Sequence, residues 1–401
     1  MTQHSSSMPL ADKLTLWQRW PKVATHGMAA RVLLAFLATA GLFYVNIMPA
    51  IVSGLIEGLG FSQREAGLVG SSNIYGAALG ALVAVFIVKS WHWKPVCTLL
   101  LVLLISIDFL SMLLSAPLPM LLLRAVHGIV GGLLVGIAFA VIARTEHVHK
   151  TFGMLLLVQF GLGGLGVMVI PPLVPIFGSW ILFMALIAFS GTALLMLPFL
   201  GDYKVSAIDA SKPVIPVKRK PLLASIFAVF LFQAANMGLY AYIIDLGEQA
   251  GLTMSTISPA LGVSAWLGIL GSGLVILFST RFGRTLPLFS GIIITALATF
   301  ALHYSSLVWV FWLANIAVGI TWAFSMAYLL GICAEFDKAG QMAALGGFAS
   351  KMGLASGPLI AALLLGNTQY PLLINVAVVM LLAAAVVTLY PCRLLDNTTE
   401  Q

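Results

Sequence analysis

The chain has 401 residues, of which 61% are hydrophobic and 8% charged, with a formal net charge of +7 and a mean hydropathy of +1.06. A soluble globular chain carries roughly 25% charged and 45–50% apolar residues, so this composition excludes a water-soluble fold and makes lipid the main solvent. Nucleic acid is excluded as the reason for the positive balance, because most Lys and Arg stand in short connectors between apolar runs.

In chain order, the first 27 residues are polar, with Lys13, Trp17, Arg19, Trp20 and Lys22, and lack the short apolar core of a cleaved signal peptide. Residues 1–30 read as a cytoplasmic lead-in. Apolar runs of bilayer length follow at 31–54, 64–88, 96–115, 119–143, 151–176 and 180–199, forming a first bundle over 31–199. A charged connector over 200–221 leads to a second bundle over 222–391, with runs at 222–246, 255–279, 286–304, 308–333, 341–366 and 371–391. A short tail, 392–401, closes the chain. Ser62 and Thr253 stand where the second helix of each half needs a cap. The fold class is an all-α polytopic membrane protein with twelve transmembrane helices.

Twelve spans put both ends on one side. Lys89, Lys94, Arg144, Lys150, Arg281, Arg284 and Lys338 fall in alternate connectors, and the central connector adds Lys204, Lys212, Lys218, Arg219 and Lys220. Opposite connectors offer only Arg64. By the positive-inside rule, both termini and the central connector are expected in the cytoplasm, with the chain in the inner cell membrane.

The second half repeats the first at an offset of about 191 residues, with Gly60-Phe61-Ser62 against Gly251-Leu252-Thr253 and Glu146 against Asp337. Arg124-x-x-x-Gly128 matches Asn315-x-x-x-Gly319, Glu57 matches Glu248, and one residue later Gly161-Leu162 matches Gly353-Leu354. Duplicated arrays of spans mark secondary transporters, whose halves rock about a site at the repeat interface.

Against these spans the chain resembles the major facilitator superfamily over nearly its whole length. That family's loop signature, Gly-x-Leu-Ala-Asp-Arg-x-Gly-Arg-Arg, survives in the second half as Arg281-Phe282-Gly283-Arg284, with Thr280 in the place of the Asp. The first-half copy is worn to Lys89-Ser90-Trp91-His92-Trp93-Lys94. The fourth-helix pattern Arg-x-x-Gln-Gly appears as Arg124-Ala125-Val126-His127-Gly128, and Gly-x-x-x-Gly-Pro stands in helix eleven as Gly353–Gly357-Pro358. The resemblance implies two pseudo-symmetric six-helix bundles, a cavity-facing fourth helix, and gating at the loops of Lys89, Lys94, Arg281, Gly283 and Arg284. Gly161, Gly163 and Gly166 of helix five also spell the dinucleotide pattern Gly-x-Gly-x-x-Gly, but no strand precedes them, so they read as helix-packing residues.

A charge at mid-membrane costs roughly 2.5–3.5 kcal/mol on insertion scales, so each one asks for a reason. Asp108, Arg124, His127 and Lys351 fall inside spans. Asp108 and Arg124, on consecutive antiparallel helices roughly 8–11 Å below the outer surface, suit either a structural ion pair or a cavity-facing Arg124 that binds substrate or tunes a proton site. Lys351 and its repeat partner Gln159 lie near the midplane, as a site between repeats requires. Gln233, Asn236 and Tyr240 share one face of helix seven, Asn315 and Trp322 one face of helix ten, and Asn46 precedes Pro49 in helix one. Asp245, Glu57 and Glu248 read as rim residues at the outer mouth.

These residues suggest an electropositive pocket for a small organic anion, held by Arg124 and Lys351 and flanked by the amides, Tyr240 and Trp322. His127, whose unperturbed pKa lies nearest neutrality, is the candidate proton site, with Asp108 beside it. The expected partners are a small solute, protons and the lipid bilayer, with the chain working as a monomer and without nucleic acid. No cofactor or metal is expected, because Cys97, Cys333 and Cys392 match no metal spacing. A drug or amphipath exporter, or a non-transporting sensor or lipid-handling protein on the same fold, remain as alternatives. An enzyme is not expected, since no nucleophile elbow, zinc motif or phosphate loop occurs.

Overall fold

The computed structural model describes residues 20–25, 27–87, 92–203, 219–278, 281–336, 341–365 and 370–399. Lys89, Thr280, most of the lead-in and residues 204–218 of the central connector lie outside the described residues. The first half comprises α1 (Met28–Ala40), α2 (Phe43–Asn46), α3 (Met48–Leu59), α4 (Gln63–Ile87), α5 (Trp93–Ser111), α6 (Pro117–Ile142), α7 (Val148–Phe177) and α8 (Trp180–Met196). In the second are α9 (Arg219–Ala241), α10 (Ile243–Gln249), α11 (Met254–Phe278), α12 (Thr285–Ala301), α13 (Val308–Glu335), α14 (Gln341–Leu365) and α15 (Tyr370–Thr399). Among the described residues, eleven helices are long and apolar enough to cross a membrane. The twelfth span is the broken series α1–α3, which gives the twelve-helix arrangement of an integral multi-pass membrane protein. Large apolar side chains such as Phe86, Leu195 and Ile276 are exposed on its flanks, as lipid-facing positions require.

The first span was expected as one helix over 31–54, and the structure interrupts it twice. Gly41 ends α1 at a close approach to α6, where a Cβ would run into the carbonyl oxygen of Gly131. Pro49, in the first turn of α3, has no N–H to continue the ladder. The break leaves the Asn46 carbonyl to accept a hydrogen bond from Tyr240 Oη at 3.0 Å. The seventh span is likewise divided, into α9 and α10. At the far end of the chain, α15 runs through Thr399, so most of the expected tail is helical.

Small residues set the helix spacing within each half. Gly76 and Gly80 of α4 meet Gly128 and Gly132 of α6, and a Cβ on any of the four would collide with backbone of the facing helix. Ser62 forms a capping box: its Oγ accepts from the Glu65 amide at 3.2 Å, while its own amide donates to Glu65 Oε2 at 2.9 Å. Thr253 instead spends its hydroxyl on Ser255 and Thr256, and no backbone amide reaches it.

The described residues before α1 and the end of α15 lie at one end of the bundle, called here the terminal end; the other is the distal end. Between the halves, α4 packs on α14 and α7 on α11. The described hydrogen bonds that cross the seam lie from mid-bundle to the distal end. Ser71 Oγ donates to Ala355 O at 2.5 Å, and Tyr75 and Ser356 share a bond of 2.8 Å. Trp266 Nε1 donates to Gly161 O at 3.0 Å, and Tyr242 Oη to Gln63 O at 2.7 Å. The halves are thus sealed distally.

Candidate functional site

Beneath the seal lies a cavity of about 220 Å³ between the halves. Asn46, Gln159, Phe160, Asn236, Tyr240, Asn315, Trp322 and Lys351 line it. Seven of these are residues that spacing and repeat register single out in the sequence; Phe160 is the addition. It meets Trp322 edge-to-face across the seam, with ring centroids 5.9 Å apart. The break in the first span explains how Asn46 reaches the site. Its side chain and that of Gln159 clasp: Gln159 Nε2 donates to Asn46 Oδ1 at 3.1 Å, and Asn46 Nδ2 to Gln159 O at 3.5 Å. The Gln159 and Lys351 repeat partners face one another's halves across this space.

Among the described residues, Lys351 is the only charged side chain in the lining. No described residue makes an ion pair or hydrogen bond with its ammonium, and no described carboxylate lines the cavity. Gln233 was expected in the lining. Instead it stands behind Trp322, accepting from its Nε1 at 2.8 Å and donating to Ser350 Oγ at 2.8 Å, so it orients the indole.

Arg124 is not in this cavity. It is fully buried within the first half, where Nη1 meets Asp108 Oδ1 at 2.7 Å and Nη2 contacts the Ser111 hydroxyl. The rings of Tyr44 and Phe183 flank its guanidinium at 5.9 and 5.2 Å. A guanidinium deep in an apolar bundle is stabilised most by a carboxylate, and the Asp108 register supplies one. Of the two sequence readings of this Arg, the geometry gives the ion pair. His127 Nε2 lies 3.4 Å from the same carboxylate oxygen.

Asn73, which the sequence reading passed over, fixes the imidazole. Its Nδ2 donates to the Arg124 carbonyl at 3.0 Å and to His127 Nδ1 at 2.8 Å. A carbonyl only accepts, so Nδ2 is the donor, Nδ1 accepts, and in the neutral ring the proton sits on Nε2, facing Asp108. Asp108 Oδ2, Arg124 Nε and Tyr44 Oη are buried without hydrogen-bond partners.

The loop signature also departs from expectation. Gly283 adopts φ +66°, turning the chain so that the amides of Arg284 and Thr285 reach Asp396, at 2.8 and 3.0 Å. Arg284 further pairs with Glu335 at 2.8 Å. The carboxylate that this loop holds therefore comes from the last helix, within the same half. Arg281 is exposed. Lys94 pairs at 2.6 Å with Asp202, at the start of the central connector, and not with the second half.

At the distal seam, Gln63 Nε2 donates to Asp245 Oδ2 at 2.5 Å, and the Tyr370 hydroxyl donates to the same oxygen. The repeat equivalents Glu57, on α3, and Glu248, on α10, are hydrogen-bonded across it. Ionised carboxylates only accept, so this contact needs a proton. Burial, then Glu57 and Asp245, push the Glu248 carboxyl up to about 8; in an opened seam it returns toward about 4.3. The raised value belongs to the closed form, so closure is favoured at low pH and loses that support as pH rises through about 8. Spin labels on exposed Ala116 and Ser306, after Ala116→Cys and Ser306→Cys, should report a closed-to-open ratio that falls with pH until about 8. Glu248→Gln, which donates at every pH, should flatten that response; a slope kept in this variant would sink the assignment.

The sequence profile of the Major Facilitator Superfamily matches residues 32–350. No curated protein matches the chain in sequence. Solved structures with the same fold include the D-xylose-proton symporter, at TM-score 0.69 and 15% identity over 89% of this chain and 96% of that one. The nucleoside transporter NupG aligns at TM-score 0.68 and 15% identity, covering 90% and 98%. A bacterial homolog of the human lysosomal transporter Spinster, inward-facing and unoccupied, aligns at 0.63 and 15%, covering 91% and 95%.

Proposed function

The chain belongs to the Major Facilitator Superfamily, and we propose that it moves a small organic monoanion across the membrane by alternating access, coupled to protons. The observation that carries this is Lys351, a cation without a described partner in a cavity lined by no described acid. An ammonium left alone near mid-membrane is costly, and an anionic cargo removes that cost each time it binds. With Arg124 neutralised by Asp108, a single positive charge faces the cargo, which favours one negative charge over two. The cavity falls below the roughly 300–1,000 Å³ usual for drug-sized ligands, which favours a small solute.

Transport follows from rocking the first half against the second, with the distal seam opening as the terminal side closes. By the positive-inside rule the terminal end faces the cytoplasm, so the seal described above gives an inward-facing form. The proton site is His127 with Asp108, whose unpartnered Oδ2 offers a further place for a proton.

The aromatic lining, Phe160 with Trp322, favours amphipath export as a second reading. Thermal stability of the purified protein against organic monoanions, dianions, cations and neutral amphipaths separates the two, since a ligand stabilises the form it binds. Stabilisation by monoanions above all others is the expected result. Stabilisation by cations or amphipaths alone would replace the anion reading with export.

A further inference from the structure

The hydrogen bonds already made inside the cavity restrict what its cargo can be. Each side-chain amide there has committed an N–H to the protein: Asn46 to Gln159 O, Gln159 to Asn46 Oδ1, Asn236 to Phe232 O at 2.7 Å, and Asn315 to Phe311 O at 2.8 Å. Tyr240 Oη and Trp322 Nε1 are committed as donors too. Each amide keeps a second N–H, but the ammonium of Lys351 is the charged donor among these groups, and it has no described partner.

On the accepting side one atom stands out. Asn236 Oδ1 is buried and has no hydrogen-bond partner, although Asn236 lines the cavity. Its orientation is fixed, because Nδ2 is held by the Phe232 carbonyl one turn back on α9. A buried acceptor without a donor forfeits its hydration, so native structures keep such groups only with a reason. Here α9 and α14 lie side by side, which sets Asn236 and Lys351 on neighbouring walls of one small space.

Resting on the anion reading above, we propose that the cargo is a monocarboxylate that also carries a neutral hydrogen-bond donor, a hydroxyl or an amide N–H. Lys351 takes the carboxylate and Asn236 Oδ1 accepts from the donor. An ammonium is disfavoured as that donor, because no acid in the lining would balance a second cation. Between these two anchors the apolar part of the cargo lies against Phe160 and Trp322. A site built to hydrogen-bond a hydroxyl rejects the analogue lacking it much more strongly than an apolar pocket rejects an added group, because its own polar atom is left unpaired.

The test is affinity, in lipid nanodiscs, for matched acids with and without a 2-hydroxyl: lactate against propionate, and mandelate against phenylacetate. The protein should bind the hydroxylated member about tenfold or more tightly. Asn236→Leu, close in shape, should erase that preference while both acids still bind, and Asn236→Ala serves as the second variant should Leu fold poorly. Equal affinity for the two members in the unaltered protein, or a preference that survives in both variants, would overturn the proposal. If no carboxylate binds at all, the anion reading itself fails, which is a different outcome from binding without preference.

Discussion

Lys351→Gln should weaken monoanion binding roughly 10- to 150-fold, the loss of one charge-assisted hydrogen bond of about 1.5–3 kcal/mol. The same change should leave the empty protein no less stable, because it removes an uncompensated cation from the cavity and strands no partner. Opposite signs for loaded and empty protein separate a cargo ligand from a structural lysine, whose loss lowers stability in both. Lys351→Arg keeps the charge but carries a larger planar fork into a cavity of about 220 Å³, so anion preference should persist at reduced affinity. Titration of each variant with a monocarboxylate and its neutral amide checks this. An anion affinity unchanged in Lys351→Gln would remove this residue from the site and, with it, the argument for anionic cargo.

Why the sequence shows some of this and hides the rest follows from what lipid does to a pattern. Apolar runs of bilayer length are visible because no water-soluble alternative exists for them, so the twelve spans and the repeat can be read directly. The break at Gly41–Pro49 is hidden, since hydropathy measures side chains and the interruption lies in backbone hydrogen bonds. Pro49 was its one local signal. Facing is hidden as well: helices apolar all round show little difference between lipid and core sides, so Arg124 could not be assigned to cavity or ion pair. The cavity amides escape this because a polar residue in a span must avoid lipid, and repeat register then places Gln159 and Lys351 together. Asn73 had a signal, the polar run Ser71-Ser72-Asn73 inside the second span. Asp396 had none, because it lies beyond the apolar stretch in what reads as a tail.

The largest stability effect is expected at the sealed cluster of the first half. Arg124→Ala would leave Asp108 charged and unpaired among apolar side chains, at a cost of about 3–5 kcal/mol. Asp108→Ala should cost a similar amount by stranding the guanidinium. Removing both partners together, as Asp108→Ala with Arg124→Ala, should cost clearly less than the two single changes added, because neither charge is then left alone. Denaturation of detergent-purified variants measures the cycle. Single changes that cost less than about 1 kcal/mol would mean that water reaches the cluster and that the pair belongs to a cavity. His127 makes the second half of the same test. It shares Asp108 with Arg124, and its Nδ1 is fixed by Asn73, so His127→Gln keeps a polar group of similar reach while removing the titrating ring. Loss of flux driven by a pH gradient, with cargo affinity retained, is the expected result. Flux unchanged in His127→Gln would leave the cluster as a clamp that joins α5 to α6, and move proton coupling elsewhere. Both roles have one physical origin: charges held in an apolar bundle with atoms such as Asp108 Oδ2 unpaired are stable only while the pair stays intact, and sensitive to any proton that reaches it.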